Sequence, residues 1–121
     1  MQMLSRNPAA AYRRVTLDAR IEASGSGDLT RICLEEAQAA LGAALIALER
    51  AGPPPREALT RAQTIMLWLA KSVAPEHPLG ASLKAFYGGL AGQLGAQILQ
   101  ADARAITEIR KDISDVLEAA G

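Results

Sequence analysis

The side chains able to do acid, base, nucleophilic or metal chemistry are few in this chain, and their spacing suits none of it. His77 is the only histidine and Cys33 the only cysteine. His77 lies between Glu76 and Pro78, with no serine or cysteine nucleophile that the pattern brings near, so it reads as a turn residue rather than a general base. Cys33 falls in the apolar stripe of a helix, where a thiol is a small and inert hydrophobe. A single cysteine excludes an internal disulfide, a Cys/His zinc site and a Cys-x-x-Cys redox pair. Glu35 and Glu36 are adjacent, and neighbours on a helix point about 100° apart, too far to share a proton or a metal. The GGLAG run at 88–92 has neither the preceding strand nor the Lys-Ser/Thr ending of a phosphate loop. No catalytic residue, metal or cofactor is expected, so the chain reads as a binding protein and not an enzyme.

The elements that position these residues read as helices throughout. Residues 1–7 are loose, and PAAAYRRVTLDARIEA at 8–23 forms a short helix with sparse apolar residues and therefore weak attachment. SGSG at 24–27 is a break, with Ser26 or Asp28 as the cap of the next helix. In that helix Leu29, Ile32, Cys33, Ala37, Ala40, Leu41, Ala44, Leu45 and Leu48 recur at three and four, the clearest apolar stripe in the sequence. Gly52 is expected to close this helix as a left-handed residue, and the prolines at 53–55 forbid its continuation. A further helix runs from 55 or 56 to about 74 on Leu59, Ala62, Met66, Leu69 and Val73. Ile65, Leu67 and Trp68 fall outside that stripe. After a second break at Pro75, His77 and Pro78, a helix carries Leu79, Leu83, Phe86, Tyr87, Leu90, Leu94 and Ile98. The last, from near Asp102, carries Ile106, Ile109, Ile113, Val116 and Leu117. Four principal helices with short connections and no alternating strand pattern imply an all-α, antiparallel four-helix bundle with an additional short N-terminal helix.

The stretch FYGGLAGQLG at 86–95 places four glycines within a helical register, and each glycine inside a helix costs about 1 kcal/mol relative to alanine. Gly88, Gly92 and Gly95 are spaced at four and three, so they line one side of the helix, with Ala81 and Ala85 upstream. A strip without side chains either lets a neighbouring helix approach closely or floors a shallow groove for a helix from elsewhere.

Composition bounds what such a module binds. The 121 residues suit one domain, here with a mobile flap at 1–23 and a bundle at 28–120. Half are apolar but only 3% are aromatic, so Leu, Ile and Ala must fill the interior. Basic and acidic residues balance at 13 each, without the electrostatic footprint of a nucleic-acid binder or a polybasic membrane binder. Arg6, Arg13, Arg14 and Arg20 near the start and a mildly acidic final stretch are solvated helix surface. With no secretory signal and no long uncharged apolar run, a soluble cytoplasmic protein without membrane insertion is expected.

Taken in order, the motifs resemble those of the FliS-type flagellin export chaperones over residues 8–119. AYRRV at 11–15 is similar to the family's N-terminal segment, with Tyr12 at its tyrosine. GDLTRICLEEA at 27–37, EALTRAQTIMLWL at 57–69 and the long stretch from SLKAFYGGLAGQLG at 82–95 to the end resemble its successive helices. The chain differs in having Leu34 and Gly89 at family tyrosines, Gly92 and Gln93 at arginines, and Ala120 at the terminal tryptophan. The resemblance implies a cytoplasmic chaperone that holds the disordered C-terminal segment of flagellin, contacting the flagellar export apparatus or its regulators, with an N-terminal flap over the empty groove. Tyr12, Val15, Leu29, Ile32, Ile65, Trp68, Gly88 and Gly92 are the candidate client-binding residues. The alternative is a self-associating structural bundle or adaptor, a homodimer at its simplest.

If the first helix is a flap, Tyr12→Ala should leave the unfolding midpoint nearly unchanged while altering client affinity. A large fall in melting temperature with unaltered binding would instead assign Tyr12 to the core.

Overall fold

The computed structural model describes residues 26–120, and their side chains over 28–119. The expected helix at 8–23, with Tyr12 and Val15, lies outside the described residues. Among these, four helices and no strand are present: α1 (Ser26–Glu49), α2 (Arg56–Ser72), α3 (Gly80–Leu99) and α4 (Ala103–Ala120). The all-α expectation holds for them. The chain divides into two compact units, Met1–Ile32 and Cys33–Gly121. Of the first, only the opening residues of α1 are described.

The helix ends show where local chemistry departs from the sequence reading. Ser26 and Asp28 are expected as caps, yet α1 already includes both, and Asp28 sits in the first turn, where a carboxylate complements the positive end of the helix dipole. At the other end the left-handed residue is Ala51, with φ 54°, and not Gly52. The hydrogen bonds explain it. Ala51 N–H donates to Leu48 O at 3.1 Å and Gly52 N–H to Ala47 O at 3.4 Å, the paired bonds of a Schellman closure, which fix the left-handed position one residue earlier. Pro53 to Pro55 then stop the chain, and α2 starts with Leu59 N–H donating to Pro55 O at 3.1 Å.

The break at 73–79 is built on its histidine. His77 N–H donates to Ala74 O, Gly80 N–H donates to His77 O, and His77 Nδ1 accepts from Leu79 N–H at 2.9 Å. The imidazole thus satisfies one of the orphan donors ahead of α3. Leu79, expected on the apolar face of that helix, precedes it and is 60% exposed. Before α4, Asp102 is an N-cap whose Oδ2 accepts from Ala105 N–H at 3.0 Å, and Gln97 Oε1 accepts from Asp102 N–H at 2.7 Å.

The core of the second unit follows the helical stripes. Leu34, Leu41, Leu59, Met66, Leu90, Leu94, Ile106, Ile109 and Ile113 are its largest fully buried side chains. Alanines fill between them, with Ala37, Ala44 and Ala62 at 0% exposure. Each large side chain contributes about 1.5–3 kcal/mol on burial. Leu45, Leu48, Val73, Val116 and Leu117, placed on the stripes by periodicity, are half-buried. Polar links run along the margin of this core. Glu36 Oε1 of α1 lies 3.4 Å from Arg61 Nη2 of α2, Gln38 Nε2 of α1 donates to Arg110 O and Ser114 Oγ of α4, and Gln63 Nε2 of α2 donates to Ala91 O of α3 at 3.1 Å.

Two substitutions separate strain from crowding at the helix ends. Ala51→Gly removes the cost of a left-handed L-residue and should stabilise by about 1 kcal/mol. Gly80→Ala should destabilise, because the added carbon would sit 3.1 Å from Ala74 O, a backbone atom with little freedom to move. Urea midpoints at constant m would show the opposite shifts, and two shifts of the same sign would refute this account of the turns.

Candidate binding surface

The inner side of α3 buries Tyr87, Leu90, Ala91 and Leu94. Stepping round the helix by three and four, its other side carries Ala81, Ala85, Gly88, Gly89, Gly92 and Ala96, all exposed. An added methyl carbon at Gly88, Gly89 or Gly92 would meet no described atom within 4 Å. These glycines therefore do not serve a tight helix crossing within the described chain. Gly95 differs in having a side chain from another helix against it. A carbon there would stand 3.0 Å from Gln63 Nε2, the amide that reaches across from α2 to Ala91 O. One glycine strip thus has two roles, close approach at Gly95 and open surface at Gly88 and Gly92.

Large apolar side chains are exposed on α2 as well. Leu67 is 46% and Trp68 43% exposed, and Ile65 is half-buried. Their sequence signal is their position off the main stripe. Of the candidates on α1, Leu29 is half-buried and Ile32 is 4% exposed, so Ile32 presents little side-chain surface. Tyr12 and Val15 are outside the described residues. The structure therefore leaves Trp68, Gly88 and Gly92 open, Ile65 and Leu29 partly so, and Ile32 covered. Leu99, 84% exposed at the end of α3, is an apolar surface residue that sequence reasoning missed. The only hint of it is its place one step off Ile98 on the helix.

Two of the residues weighed for chemistry make structural contacts. His77 is a turn acceptor, and Glu36 pairs with Arg61. Among the described residues no group of three or more His, Cys, Asp or Glu is arranged to hold a metal ion. No described helix is long and apolar enough to cross a membrane. Cys33 is buried, and its thiol is pushed above its usual 9.0, first by burial and then by the negative charge of Glu36. Tyr87 is likewise pushed above 10.0 by burial and by the nearby Cys33, while its ring meets Phe86 edge-on at 5.6 Å. A thiol held in its neutral form is a poor nucleophile.

No protein-family model matches the chain, and no curated protein matches it.

Two measurements test this geometry. Because the folded chain keeps Cys33 and Tyr87 protonated more firmly than the unfolded chain does, their contribution to stability is complete below about pH 9 and is lost as pH rises through the raised folded values. Stability should decline above about pH 9, and the combined Cys33→Ala and Tyr87→Phe variant should decline less steeply. An unchanged slope would remove these groups from the account. Separately, Gly92→Ala has room for its methyl group and should stabilise by up to about 1 kcal/mol. Gly95→Ala, which crowds the Gln63 amide, should gain less or lose stability, and equal gains at both positions would contradict the two roles.

Proposed function

We propose that this chain is an export chaperone of the FliS type, which holds the disordered C-terminal segment of flagellin in the cytoplasm, prevents its premature polymerisation and keeps it competent for flagellar type III secretion. The observation that carries the reading is the open outer face of α3, where Gly88 and Gly92 have space for a partner's backbone. Exposed Leu67 and Trp68 on the preceding helix add to it. A surface poor in side chains and nearly free of charge suits an amphipathic segment that folds as it binds. The client loses about 2–5 kcal/mol in ordering, so a long apolar contact is required rather than one pocket. No bond is made or broken.

An antiparallel bundle, with the N-terminal helix as a flap carrying Tyr12 and Val15, belongs to the same proposal. The antiparallel arrangement is supported by the short connections at 50–55, 73–79 and 100–102 and by contacts from α1 to α2, α2 to α3 and α4 to α1. Within the second unit Ile65 and Trp68 belong to the proposed client surface. Self-association through the exposed Trp68 and glycine faces is the competing reading.

A titration with a peptide of the flagellin C-terminal segment tests both. Trp68 emission should shift to the blue, light scattering should give the mass of a one-to-one complex, and Gly92→Leu should weaken binding about tenfold or more without lowering the unfolding midpoint. No spectral change and no added mass would overturn the chaperone reading. A free protein whose mass rises with concentration, and falls to the monomer in Gly92→Leu, would put self-association in its place.

A further inference from the structure

We draw no further inference here: the strongest candidate, the exposed glycine and alanine strip on the outer face of α3 from Ala81 to Ala96, carries nothing beyond the reading already given, because nothing in the structure shows what covers it.

Discussion

No polar or charged residue is among the described buried residues, and this constraint governs how the helices can be held. Burial of Leu, Ile, Met and Ala supplies most of the stability but has no direction, since hydrophobic attraction scales with area and not with orientation. Choosing which helix lies beside which falls to side chains at the margin. Gln38 bonds to α4, Gln63 to α3 and Glu36 faces Arg61 of α2. Each such hydrogen bond contributes about 0.5–1.5 kcal/mol, against about 1.5–3 kcal/mol for a buried leucine. The margin therefore adds less to stability than the core does, and more to register. In the Glu36–Arg61 pair the attraction is ionic, since at 3.4 Å the buried Nη2 makes no hydrogen bond.

The shortage of aromatic side chains has a related effect. With alanine at so many inner positions, little side-chain bulk separates the helices, and at Gly95 the space a methyl group would take is filled by the Gln63 amide of α2. The same helix carries glycine on the side where no described neighbour presses. Packing within the described chain accounts for the first glycine and leaves Gly88, Gly89 and Gly92 to another explanation. The loss of helix propensity at those three, about 1 kcal/mol each, is of the same order as burying one or two of the leucines on the inner side of α3.

Helix identity was legible because the period of three and four survives any arrangement of neighbours. Leu59, Met66, Leu94 and Ile109 are all buried as the pattern requires. Leu34 escaped because it lies at the edge of a narrow stripe, yet it is 0% exposed, since α1 is flanked on two sides and buries a wider arc. Ends were less legible. The left-handed residue at the close of α1 is an alanine, chosen by the hydrogen bonds of the turn over the conformational preference of the glycine beside it. On α3, spacing put Gly88, Gly92 and Gly95 on one side, but only the position of Gln63 separates the covered glycine from the open ones. That information lies in a residue on another helix.

The open glycines also make α3 uneven in its relation to water. On the inner side, leucines and a tyrosine seal the peptide groups. On the outer side, at 88, 89 and 92, hydrogen atoms replace side chains, and solvent can compete for the carbonyl oxygens of the helix itself. Any body that docked on that side would displace this water and take over the competition for those carbonyls.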